Sequence, residues 1–162
     1  MSVHRIREYP DPVLRGRAER VREFGDSLME LIRDMWETMK EYDGVGLAAP
    51  QIGISLQIAV VGWRDRRIIL VNPEIIEHEG EEFQEEGCLS APGIFEKVGR
   101  PERIVVDAQD VKGNPFRLEE TGYLARAILH EIDHLQGKLF IDRLSPLKRR
   151  FLKRKLNKRG EE

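Results

Sequence analysis

"TGYLARAILHEIDHLQG", Thr121 to Gly137, dictates how the rest of the chain must fold. Leu124, Ala127, Ile128, Ile132 and Leu135 surround the helical cylinder on nearly every side, so the pattern predicts a helix buried inside the molecule. Thr121 suits its N-cap, and Gly137 suits the left-handed position past its end. Yet His130, Glu131, Asp133 and His134 share that segment. Burying four such groups without partners is costly, so they must serve one another or a ligand. His130 and His134 stand one helical turn apart with Glu131 beside them, an H-E-x-x-H pattern that puts both imidazoles within reach of one divalent cation.

Two imidazoles need a third donor. The zincin patterns take it downstream, but no histidine follows His134, and the later carboxylates are only Asp142, Glu161 and Glu162. Upstream stand His4, His78 and Cys88, the last within "EEGCLSAPG", Glu85 to Gly93, where glycine and proline let the backbone turn tightly against a neighbour. A thiolate with two imidazoles suits Zn or Fe(II) and leaves a position free. Cys88 is the sole cysteine, so no intrachain disulfide forms, and a reducing compartment is expected.

Outward from this core, "DSLMELIRDMWETMKEYDG", Asp26 to Gly44, is an amphipathic helix with Leu28, Leu31, Ile32, Met35, Trp36 and Met39 on one face. Asp26 or Ser27 is placed to cap it and Gly44 to end it. "LQIAVVGW", "RRIILVNP" and "EIIEHEG" read as strands, and "RIVVDAQD" and "NPFRLEE" as a hairpin around Val111, Lys112 and Gly113. Short connections imply antiparallel pairing. The expected class is α+β: antiparallel sheets packed around the central helix, an N-terminal amphipathic helix and a C-terminal basic helix over 147–160, all in a single domain of 162 residues. A composition of 40% hydrophobic and 35% charged residues excludes a disordered chain, and no apolar run reaches the length of a membrane span. The first residues lack the apolar core of an export signal, so a cytoplasmic protein is expected.

A third stretch, "GVGLAAPQ", Gly44 to Gln51, combines two glycines that permit close backbone approach with two small alanines and an amide side chain. Together the three stretches resemble the peptide deformylase family, whose signatures GxGxAAxQ, EGCLS and HExDH stand here in that order at 44–51, 86–90 and 130–134. The resemblance implies one divalent metal on Cys88, His130 and His134, with Glu131 as general base and acid. It implies hydrolysis of N-formylmethionyl nascent peptides to formate and a free amine, with Gln51 and the Leu89 N–H stabilising the oxyanion. Ligand types alone favour zinc; the family implies Fe(II), with zinc, nickel or cobalt as substitutes. Gly46 is expected to let the peptide lie close, and Val45 and Tyr123 to wall the methionine side chain. Asp133 and a Glu86–Arg100 pair are candidate supports for the ligands.

Charge is uneven. Residues 146–162 carry eight Lys/Arg and two Glu, while the rest of the chain carries 19 basic against 27 acidic side chains. The tail has an apolar stripe of Leu147, Phe151, Leu152 and Leu156, and its Lys148, Arg149, Arg150, Lys153, Arg154 and Lys155 suit ribosomal RNA phosphates. Two rival readings are a peptidase-like metallohydrolase and an RNA-binding protein with a structural metal; closed structural sites want four protein ligands, and three are evident.

Overall fold

The computed structural model describes residues 2–160. The chain runs α1 (Asp26–Glu41), β1 (Gly46–Ala48), β2 (Ile58–Trp63), β3 (Arg66–Glu79), β4 (Glu82–Cys88), β5 (Ala91–Arg100), β6 (Arg103–Gln109), β7 (Pro115–Thr121), α2 (Gly122–Leu135) and α3 (Pro146–Gly160). A five-stranded antiparallel sheet has the order β1-β2-β3-β6-β7, and β4 and β5 form a separate two-stranded sheet. The α+β expectation holds, with antiparallel sheets throughout.

Strand β2 shows why α2 is central. Its alternate residues Ile58 and Val60 join Leu28, Ile32, Met35 and Met39 of α1 in one cluster. Val61 joins Leu124, Ala125, Ile128, Leu129 and Ile132 of α2 in another. Side chains alternate across a strand, so the large sheet is covered by a helix on each face. That explains the unbroken apolar run of "IAVV", which is fully buried. Core residues of this kind contribute about 2 kcal/mol each when taken out of water. A third cluster packs Leu152 and Leu156 of α3 and Leu139, Phe140 and Ile141 against Ala91, Ile94 and Val98 of β5.

Several local expectations are corrected. α1 starts after Gly25 with no side-chain cap from Asp26 or Ser27. It ends at Glu41, before Gly44: Asp43 takes the left-handed conformation (φ 54°), and Gly44 N–H donates to Met39 O at 2.9 Å. An aspartate tolerates that region where most residues do not. At α2 the terminal glycine is as expected. Gly137 has φ 76°, Lys138 N–H donates to Asp133 O at 2.9 Å, and a Cβ on Gly137 would sit 2.5 Å from Arg15 O. "RRIILVNP" and "EIIEHEG" are one strand, β3, irregular after Val71, where Asn72 (φ 51°) exchanges two side-chain hydrogen bonds with the Val21 backbone. "EEGCLSAPG" is the closed end of the β4–β5 hairpin, its turn at Leu89–Ser90. On α3, Ser145 caps as expected, accepting from Lys148 N–H at 3.3 Å. Its apolar stripe is divided: Leu152 and Leu156 are buried, while Leu147 and Phe151 face solvent.

Asp142 ties the segment after α2 to the N-terminal part of the chain, accepting from Arg15 at 2.5 and 3.2 Å, Leu139 N–H at 2.9 Å and lying 3.0 Å from Lys153. Burial alone would raise its pKa, but these donors outweigh it and hold the carboxyl at about 2. A depressed folded value means the stabilisation is present above the unfolded pKa of about 4 and is lost as pH falls through the folded one. Asp142→Asn is therefore expected to lower the Tm at pH 7 while leaving it near wild type at pH 2. Equal loss at both pH values would contradict this account of Asp142.

Candidate metal centre

α2 projects Arg126, His130 and His134 along one face, each one turn from the next. Cys88 arrives from the end of β4. Among the described residues, one cysteine and two histidines form a group able to hold an ion: donor atoms of Cys88, His130 and His134 lie within 4.8 Å of one another. Cys88 Sγ is 3.3 Å from His134 Nε2. A tetrahedral ion bound by sulfur and nitrogen spaces them about 3.5 Å apart, so the donors are arranged to receive one. His4 pairs instead with Asp34 at 3.0 Å, and His78 is exposed on β3.

The surroundings fit a metal as well as the donors do. His130 Nδ1 pairs with Glu86 Oε1 at 2.9 Å, turning Nε2 toward the centre. Glu86 also accepts from Arg100 Nε at 2.5 Å and Nη2 at 2.9 Å, so the expected Glu86–Arg100 pair is present and touches a donor. Asp133 accepts from Arg100 at 3.0 Å and from Arg143 at 2.6 and 2.7 Å. Burial would raise the Glu86 pKa, but His130 and Arg100 reverse this and hold it at about 2. Burial pushes the His134 imidazole well below its usual value, keeping it neutral. For His130, burial is outweighed by Cys88 and Glu86, and its value rises.

Glu131 is buried on the same helix beside His130. Burial lifts its carboxyl to about 7, against the lowering pull of His130 and Arg100. Among the described residues, the buried side-chain polar atoms without a hydrogen-bond partner are Glu131 Oε1 and His134 Nδ1, both at this centre. Leaving such atoms unpaired costs about 1–3 kcal/mol each. Glu131 lines the cavity, where a ligand or reactant completes its pairing, whereas His134 Nδ1 is the ring nitrogen opposite the Nε2 that faces Cys88. Gly46 is what makes room for Glu131: a Cβ there would meet its Oε2 at 2.5 Å.

A cavity of about 570 Å³ opens onto the centre. Val45, Gly46, Gln51, Leu89, Tyr123 and Glu131 all line it, with Cys88 and His130. Gln51 is buried, its Oε1 accepting from Ala48 N–H at 2.9 Å and its Nε2 donating to Ser90 Oγ at 3.2 Å and lying 3.8 Å from Cys88 Sγ. Tyr123 is at the rim, 47% exposed, with its ring 5.0 Å from that of Trp63. Sequence reasoning did not single out Ser90, Phe95 or Arg126, although all three belong to this neighbourhood. Arg126 had a readable signal, lying one turn before His130 on the same helix face.

An α+β molecule with a sulfur–imidazole donor set, an open cavity and a buried carboxylate beside it belongs among the metal-dependent hydrolases. The comparisons narrow the class. A family model described as polypeptide deformylase matches residues 3–150. The peptide deformylase of Acidobacterium capsulatum is 49% identical over 163 residues, covering 98% of this chain and 96% of that protein. The crystal structure of a peptide deformylase from Legionella pneumophila superposes with a TM-score of 0.91 at 48% identity, covering 99% of this chain and 96% of that one. That from Thermotoga maritima gives a TM-score of 0.88 at 48% identity over 90% of this chain and all (100%) of the other. The chain belongs to the polypeptide deformylase family.

Proposed function

We propose that the chain hydrolyses the formamide of N-formylmethionyl peptides on nascent chains, releasing formate and the free amine. The observation that carries this reading is the clustering of the Cys88, His130 and His134 donor atoms within 4.8 Å of one another, beside the cavity that Cys88, His130 and Glu131 line. Cys88, His130 and His134 would hold a divalent ion, which would supply Lewis acidity toward water and the formyl oxygen. Glu131 takes the proton from the attacking water and delivers it to the departing amine nitrogen as the C–N bond breaks, which suits a carboxyl lifted toward neutrality. The Gln51 amide and the Leu89 N–H donate to the oxygen that becomes negative. The small residues of the 44–51 stretch form a tight wall that takes a formyl hydrogen and refuses an acetyl methyl. Gly46 lets the peptide backbone lie close, and Val45 and Tyr123, which line the cavity, flank the methionine side chain.

Formyl-Met peptides offered beside acetylated and unblocked ones test this: formate release from the first alone is expected. Cleavage of a peptide bond in an unblocked substrate would transfer the protein to the peptidase reading. Fe(II) is the native ion in this reading, and the thiolate makes it sensitive to oxygen. Protein prepared anaerobically is expected to lose activity on aeration while zinc-loaded protein stays stable but slower; equal turnover with the two metals would contradict it.

The protein works in the cytoplasm, where a lone thiol stays reduced. α3 meets the ribosome through its outward face. Lys148, Arg149 and Lys153 also serve the fold, bonding Glu96 at 2.8 Å, Asp142 O at 3.1 Å and Asp142 at 3.0 Å. The contact therefore rests mainly on Arg150, Arg154 and Lys155, beside exposed Leu147 and Phe151. Deleting residues 147–162 is expected to abolish salt-sensitive co-sedimentation with ribosomes; unchanged binding would remove the idea.

A further inference from the structure

Two of the three metal donors ride on α2 and the third ends β4, in a hairpin hydrogen-bonded to no strand of the large sheet. Something must fix the spacing between them. We propose that Arg126 is a positioning residue that straps the hairpin to α2 and so sets the metal-binding geometry, an inference that rests on the three-donor reading above.

The side chain of Arg126 is buried and makes contacts in three directions. Its Nη1 donates to Glu86 Oε2 at 2.6 Å and to Val98 O at 2.9 Å, and its Nη2 donates to Glu82 O at 2.6 Å. One guanidinium thus grips both strands of the hairpin from the helix face that carries His130 and His134. The rigid planar fork allows this, whereas a lysine ammonium cannot span the same three acceptors in the same geometry. Glu86 is the pivot. Its Oε2 is shared by Arg126 and Arg100, and its Oε1 by Arg100 and His130. Arg100, at the end of β5, reaches from the hairpin to Asp133 on α2, while Arg126 reaches from α2 to the Glu86 carboxylate and to the backbone of β4 and β5. The two guanidiniums thus cross the same gap from opposite sides. Without Arg126, Glu86 keeps Arg100 and His130, but the hairpin loses the guanidinium that ties the backbone of both its strands to α2. The His130 ring and the Cys88 sulfur then lose their common frame. Outer partners of metal-binding histidines typically change affinity about tenfold to a hundredfold.

The test compares wild type, Arg126→Met and Arg126→Lys. Zn(II) affinity is measured by competition with a chromogenic chelator, alongside Tm and the kcat and KM for a neutral formyl-Met peptide. Arg126→Met is expected to bind Zn(II) at least about tenfold more weakly and to lose kcat with KM little changed, and Arg126→Lys to fall between. Wild-type Zn(II) affinity in Arg126→Met with only a lower Tm would overturn the proposal, making the strap merely structural. A raised KM with unchanged kcat and affinity would overturn it too, leaving Arg126 as a cavity wall. Should Arg126→Met fail to fold, Arg126→Lys decides, and wild-type affinity there contradicts the inference. A wild-type protein that binds no Zn(II) instead defeats the three-donor reading itself, and this inference with it.

Discussion

Replacing Glu131 with Gln is expected to lower turnover of a formyl-Met peptide by about a thousandfold or more while leaving one metal ion per chain. The substitution keeps the size of the side chain and removes only its ability to accept and return a proton. Glu131 is not among the three clustered donors, so metal retention and turnover should separate cleanly in this variant. The carboxyl lies where burial raises its proton affinity to about 7, and its Oε1 has no partner among the described residues. A group held ready in that way gains little for the fold, since an unpaired buried carboxylate oxygen destabilises it. The Gln variant is accordingly expected to be at least as stable as wild type. Retained activity would remove Glu131 as the base, and metal loss would make it a ligand.

Gly46→Ala is expected to cost about a hundredfold in kcat/KM with little change in Tm or metal content. The new Cβ would lie 2.5 Å from Glu131 Oε2 and 2.9 Å from its Cγ and Cδ, closer than atoms can approach. Gly46 belongs to a short edge strand in ordinary extended backbone, paired with Val61, so alanine fits the main chain. The conflict falls wholly on the side chain opposite. Glu131 is therefore displaced from the position it needs, and a shift of about 1 Å is enough to account for the loss. Wild-type kinetics in Gly46→Ala would show that Glu131 can move without consequence, against the role assigned to it.

What could be read from the sequence follows from how each element is buried. α1 and β2 announce themselves because their apolar residues recur at the period of the element that buries them. α2 reads as apolar nearly all round because the sheet lies against it and the hairpin straps to it. The β4–β5 hairpin was hidden. Its sequence is rich in glutamate, one face is open to solvent, and its cross-strand pairs set aromatic rings over glycines: Phe83 opposite Gly99 and Phe95 opposite Gly87. Such pairs give no branched apolar alternation to detect. Cys88 could be singled out without its strand because a two-histidine pattern lacking a third donor points to the sole thiol. Arg126 escaped because a cation on an apolar helix reads as a chance exposed residue unless its place one turn before His130 is weighed, and the hairpin it grips is not legible in the sequence. The left-handed end of α1 falls on Asp43 rather than on the nearby glycine because local hydrogen bonding, not residue preference, set the last turn.

The central claim is that one divalent ion, held jointly by the Cys88 sulfur and the imidazoles of His130 and His134, supports formate release. Metal content and formate release measured on the same preparations of wild type and Cys88→Ala test it most directly. The account predicts one ion per chain in the wild type, activity proportional to occupancy during chelation and reloading, and loss of both in Cys88→Ala. Formate release that survives complete chelation, or a Cys88→Ala protein that keeps its metal and its turnover, would contradict it.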